Sequence, residues 1–172
     1  MDNAARRLQI ADEIKSAVRA TPIQLSIYAR SKLEFLLCQL EASLECGDKS
    51  AAVEFRMKAA KACRLLIKTT KKSAQHRTEA LRLKGVYYWL IKKPGRAFKW
   101  LEKAVREGER LDARLELSRT YFEIGRRLME SDDRYNDLNG VKADEYLDKA
   151  TTLFVAMNLQ WDLDRLEQLP KY

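Results

Sequence analysis

The residues able to do chemistry are few and scattered. His76 is the single histidine, so a two-histidine metal site has no second ligand, and a Ser-His-Asp triad would have to be built on a residue in a polar joint between helices. Cys38, Cys46 and Cys63 leave one thiol over in any disulfide scheme and form no C-x-x-C pair, so they read as buried or idle thiols in a reducing cytoplasm. No Gly-rich run of the P-loop or dinucleotide type exists to cradle phosphate. Asp132 and Asp133 are neighbouring carboxylates, but within Ser-Asp-Asp-Arg-Tyr-Asn-Asp-Leu-Asn-Gly they read as turn formers rather than acids. Glu, Lys and Tyr are abundant, with nothing that pairs them at a catalytic spacing. The expectation is a protein that is not an enzyme, with no catalytic residue, no cofactor and no metal site.

Charge carries more information than nucleophiles do. The net charge is +8 over 172 residues, yet Arg56 to Arg106 holds sixteen Lys/Arg against Glu79 and Glu102 alone, which is +14. The flanking segments are weakly acidic. A basic segment of this kind steers acidic proteins, displaces counterions from nucleic-acid phosphates, or lies as a solvated helical face. Its exposed candidates are Lys92, Lys93, Arg96 and Lys99. For nucleic acid, Tyr87, Trp89 or Trp100 would stack on bases, although no nucleic-acid-binding motif accompanies the charge.

The elements that must position these groups are helices. A 46% hydrophobic and 34% charged composition with six Gly and three Pro describes long helices with few breaks, so the fold class is all-α. Apolar residues at three- and four-residue steps predict a first helix over 3–20. Thr21-Pro22 then opens a second to Glu45, Gly47 closes it, and Asp48 caps a third to about Thr70. Helices follow over about 75–92, 95–110, 112–130 and 141–157, and a capping helix over 159–169. Ser131 to Gly140 is the one long loop. No run approaches eighteen apolar residues and Met1 to Arg7 has no apolar stretch behind it, so the chain is expected to be cytoplasmic, with no membrane partner.

One stretch repeats. Ala97, Leu101, Lys103 and Ala104 recur as Ala143, Leu147, Lys149 and Ala150, an offset of 46 that equals a 34-residue hairpin plus a 12-residue insertion near 127–139. In the hairpin 78–111, Gly85 and Ala97 let two helix backbones approach while Tyr88, Leu101 and Ala104 fill the space beside them. Leu81, Gly85, Tyr88, Ala97, Leu101 and Ala104 resemble the consensus of a tetratricopeptide repeat. The likeness covers Thr78 to Arg165, with a second repeat over 112–157. It departs at Lys84, where Leu is usual, and at Arg119, where the next small residue is usual. Gly108 to Tyr121 is also similar to the C-terminal repeat regions of large bacterial signalling ATPases and nucleotide cyclases.

These resemblances imply one domain over 1–172, a right-handed superhelical stack of antiparallel hairpins with about eight helices. They imply a non-catalytic protein-protein interaction module. Its concave face would bind a peptide or protein, an acidic one among the candidates, through Arg82, Val86, Trp89, Glu116, Thr120 and Glu123; Leu90 and Ile124 fall on the same face. The competing reading of Trp89 and Leu90 is burial between helices. The alternatives are a regulatory or transmission segment of a larger signalling ATPase or cyclase, and a nucleic-acid-binding repeat that uses 56–106. Trp100 and Trp161 read as packing residues, with Asp162, Asp164 and Glu167 on the wet side of the last helix.

Overall fold

A computed structural model describes residues 2–17, 20–71, 74–131 and 135–169. Asp132 and Asp133 lie outside them. Eight α-helices form among the described residues: α1 (Asp2–Ala17), α2 (Pro22–Glu45), α3 (Lys49–Thr70), α4 (Arg77–Leu90), α5 (Pro94–Arg110), α6 (Arg114–Met129), α7 (Ala143–Ala156) and α8 (Gln160–Glu167). A 3-10 turn, Ala74–His76, precedes α4. α2/α3, α4/α5 and α6/α7 are antiparallel hairpins stacked in chain order, with α1 against α2 at one end and α8 against α7 at the other.

Local chemistry sets the boundaries. At the start of α2, Thr21 and Gln24 make a reciprocal capping box with Pro22 in the first turn, and Asp48 accepts from the Ala51 amide to start α3. Four helices end in one way. Gly47, Lys92, Asp112 and Asn158 take φ of 73°, 57°, 48° and 52°. The next amide donates back five residues in each case, Asp48 to Ser43, Lys93 to Tyr88, Ala113 to Gly108 and Leu159 to Phe154. This left-handed cap satisfies the last carbonyls and turns the chain in three residues, which forces neighbouring helices close together.

Gly85 is the tightest point of the middle hairpin. A Cβ there would stand 2.7 Å from Leu101 Cγ and 3.3 Å from the Ala97 carbonyl oxygen. The same contact recurs at Gly125, whose added Cβ would meet Leu147 Cγ at 2.7 Å and the Ala143 carbonyl at 3.0 Å. The small residue of the third hairpin is thus Gly125, six residues beyond Arg119, to which the 34-residue spacing points. The extra length is divided between the two sides of that contact. Part of it is not a plain loop: Asp137–Leu138 and Val141–Lys142 pair antiparallel as β1 and β2. Asn139 and Gly140, at φ 58° and 77°, form the tight turn between them.

The core comes in three clusters along the stack. Ala29, Leu33, Leu40, Ala59, Leu66 and Ala80 are wholly or almost wholly buried in its first half, Leu101 and Ile124 in the middle, and Ala150 and Phe154 at the far end. In α8 Asp164 and Glu167 are exposed as expected, but Trp161 and Asp162 trade places. Asp162 is 3% exposed and Trp161 63% exposed, because Arg119 draws Asp162 inward with a two-pronged bond, Nε to Oδ1 at 3.1 Å and Nη2 to Oδ2 at 2.9 Å. Trp161 is left outside with the Arg165 guanidinium 4.9 Å from its ring centre. No described helix is long and apolar enough to cross a membrane.

Candidate functional site

The first helices of the hairpins, α2, α4 and α6, bring together most of the residues that the repeat pattern assigned to a binding face. That face is largely occupied by its own charges. Glu79 of α4 lies between Arg30 of α2 at 3.5 Å and Arg82 at 3.7 Å. Arg82 continues to Glu116 of α6 at 3.4 Å, Glu116 to Arg119 at 3.8 Å, and Arg119 to Asp162 of α8. A ladder of alternating charge therefore crosses four helices.

A second knot lies at the other end of α6. Arg127 donates to Glu123 and to Glu130 at 2.6 Å each, while Arg126 donates at 2.8 Å to Glu130 and to Glu41 of α2. The Arg127 guanidinium also stands 5.6 Å over the Trp89 ring. Trp89 is half-buried and set edge-on against Phe98.

Of the predicted face, Val86 is buried, Thr120 is 0% exposed and Glu123 5% exposed. Leu90 and Ile124 are core residues. The Thr120 hydroxyl is taken by the Glu116 carbonyl at 2.6 Å. Arg82 and Glu116 keep some solvent contact but are paired. A peptide lying here would have to displace these internal partners.

The buried carboxylates divide by how close their cations come. Burial works against the Glu123 carboxylate, yet Arg127, Arg126 and Arg82 hold its pKa below the ordinary value. Glu79 goes the other way. Burial, with Glu116 alongside, pushes it up to about 7 in spite of Arg82 and Arg30. Its two arginines stand at 3.5 and 3.7 Å and His76 Nδ1 at 3.9 Å, too far for short charge-assisted bonds to offset desolvation. Around it Arg30 Nε, Arg82 Nε and His76 Nε2 are buried with no protein partner. Burial also lowers the His76 pKa, with Arg30 adding to the effect.

The opposite side of the stack, formed by α3 and α5 with the edge of α4 between them, is different in kind. Lys92, Lys93, Arg96 and Lys99 are all exposed. None has a carboxylate within 4.0 Å among the described residues, nor have Lys49, Arg56, Lys84 and Lys103. Arg96 stands 5.8 Å over Tyr88, and Tyr88 meets Tyr87 edge-on at 5.6 Å. Lys84, at the position where the repeat pattern has Leu, lies 3.6 Å over Trp100 and Lys103 lies 4.4 Å over it. Burial pulls the Lys84 pKa down, and Lys103 adds to that. The Tyr88 and Trp100 rings are thus already covered by this chain's own cations.

Beside this surface, where the α2–α3 turn meets the end of α4, an open groove of about 530 Å³ is lined by Leu40, Leu44, Ala52, Val53, Leu90 and Ile91. Lys49, Arg56 and Lys92 complete its edge. Sequence spacing did not single out this groove, since it joins the ends of two hairpins; Lys92 was the one signal in reach. Among the described residues no group of three or more His, Cys, Asp or Glu could hold a metal ion. Cys63 is buried and Cys38 and Cys46 are exposed free thiols. Comparison with protein-family models, curated proteins and solved structures found no match.

Proposed function

We propose that this chain is a tetratricopeptide-like interaction module that binds an acidic protein segment on its outer α3–α5 surface. One observation carries the reading. On the first-helix side Arg82, Arg119, Arg126 and Arg127 are paired with carboxylates of the same chain, whereas Lys92, Lys93, Arg96 and Lys99 have none within ion-pair range among the described residues. Unpaired surface charge of one sign has its largest effect on the encounter with a partner of opposite sign.

The repeat character has its own support, the matching Gly85–Leu101 and Gly125–Leu147 contacts. A phosphodiester backbone would suit the same cations. Base stacking would not, since Tyr88 and Trp100 already carry Arg96, Lys84 and Lys103 on their rings.

The test is fluorescence anisotropy with labelled poly-glutamate and single-stranded RNA of equal length. The variant is Lys92→Glu, Lys93→Glu, Arg96→Glu and Lys99→Glu combined. Poly-glutamate affinity is expected to fall at least about tenfold with an unchanged melting temperature. Equal poly-glutamate binding by both proteins, or RNA bound much more tightly than poly-glutamate, would sink the reading.

A further inference from the structure

We infer that the groove at the α2–α3 turn anchors one bulky apolar side chain of the acidic segment, an inference that rests on the acidic-partner reading. The groove's size falls in the range of sites that enclose a side chain or small ligand. Its lining has an apolar character that water does not reward. Leu44 and Val53 are 43% and 56% exposed, and no side chain of the described residues fills the space between them and Leu90 and Ile91. An occupant that leaves water for this lining gains affinity in proportion to the apolar area it buries.

The edge of the groove selects the flanking chemistry. Lys49, Arg56 and Lys92 stand there without carboxylate partners among the described residues. The one acid in the lining, Asp48, uses its Oδ1 to cap α3 through the Ala51 amide at 3.0 Å. A neutral apolar peptide would leave the three cations unanswered. A polyanion with no apolar group would leave the floor wet. A nucleobase would bring polar edges to a floor of aliphatic side chains that offers them few hydrogen bonds.

The segment that satisfies both parts has Glu or Asp on either side of Leu, Ile, Phe or Trp. Lys92 belongs both to the groove and to the outer basic patch. From it the acidic residues continue onto Lys93, Arg96 and Lys99, and the anchor fixes their register.

The experiment uses the full chain and a panel of labelled Glu/Asp-rich peptides. Each carries one of those apolar residues at a central position, and a control carries Ala there. The best anchored peptide is expected to bind about tenfold more tightly than its Ala control. That difference should vanish in a Leu44→Gln, Val53→Gln variant, whose folding is checked by its melting temperature; both positions are exposed enough to accept the change. If anchored and Ala peptides bind equally, the groove is not an anchor site and the acidic-partner reading stands. If no peptide in the panel binds, both fail together. Should the difference persist in the double variant, the apolar residue docks elsewhere and the inference is overturned. Self-association seen by sedimentation and lost in the double variant would assign the groove to a second copy of this chain instead.

Discussion

Replacing Gly85 by Ala sets two effects of known sign against each other. Ala is favoured over Gly in a helix interior by about 1 kcal/mol, so a Gly with room beside it gains stability on substitution. Here the new Cβ would stand 2.7 Å from Leu101 Cγ and 2.8 Å from its Cδ2, inside any carbon–carbon contact. Leu101 is 0% exposed, so it can yield only by moving against its core neighbours. Overpacking of this kind costs about 1–3 kcal/mol, so the net expectation is a loss of about 0–2 kcal/mol, centred near 1. At about 2–4 °C per kcal/mol for a chain of this length, Gly85→Ala lowers the melting temperature by a few degrees. Gly125→Ala should do the same, since the Ala143 carbonyl oxygen at 3.0 Å is backbone and cannot swing aside. Thermal unfolding followed by circular dichroism measures both. The decisive comparison is a double-mutant cycle. Leu101→Ala alone costs about 2–5 kcal/mol, but paired with Gly85→Ala it opens the space the new methyl needs. The double variant should therefore be more stable than the sum of the singles by about 1–2 kcal/mol. A rise in melting temperature for Gly85→Ala, or a cycle that sums to zero, would refute the idea that backbone approach dictates glycine here.

Three other perturbations probe the caps and the charges. Lys92 carries a side chain at φ 57°; Lys92→Gly relieves left-handed strain, partly offset by the freer unfolded chain, and should stabilise by about 0.5 kcal/mol in a denaturant titration. Arg119→Ala leaves the buried Asp162 carboxylate without its two-pronged partner and should cost about 3 kcal/mol, most of it recovered when Asp162→Ala is added; additive losses would contradict the pairing. Glu107 accepts from Arg110 and from Arg77 at 2.8 to 2.9 Å, and those bonds hold its carboxyl at about 2 against an ordinary 4.5. A depressed folded-state pKa means stability that is complete above about pH 4.5 and drains away as pH falls toward 2. Glu107→Gln should thus cost about 0.5–1 kcal/mol at pH 7, discounted for the exposure of its arginines, and almost nothing near pH 2; a constant difference across that range would rule the ion pairs out.

How far the sequence could be read follows from the range of each interaction. Helix starts and stops are decided within four or five residues, so Thr21-Pro22, Asp48 and Pro94 marked them in the chain and the structure has them there. The Asn139-Gly140 turn was equally local and equally legible, yet two-residue strands have too little periodicity to stand out beside it. Gly125 was hidden for another reason. A fixed 34-residue spacing assumes that the insertion lies wholly after the first helix of the repeat, and only the contact with Leu147 and Ala143 reveals how the added length is divided. The charges are the least legible of all. Arg82 and Glu116 are 34 residues apart, Arg119 and Asp162 43, and Arg126 and Glu41 85, so no windowed charge count can tell a paired arginine from a free one. Window sums put the excess in 56–106, but what makes part of that excess available is that the acids of the third hairpin and of α8 fold onto the arginines of the first-helix side. Glu116 and Asp162, spent on Arg82 and Arg119, cannot reach across the stack to Lys92 or Arg96. The unbalanced surface is therefore a product of the stacking order, and shifting α6 by one turn would redistribute it without changing a residue.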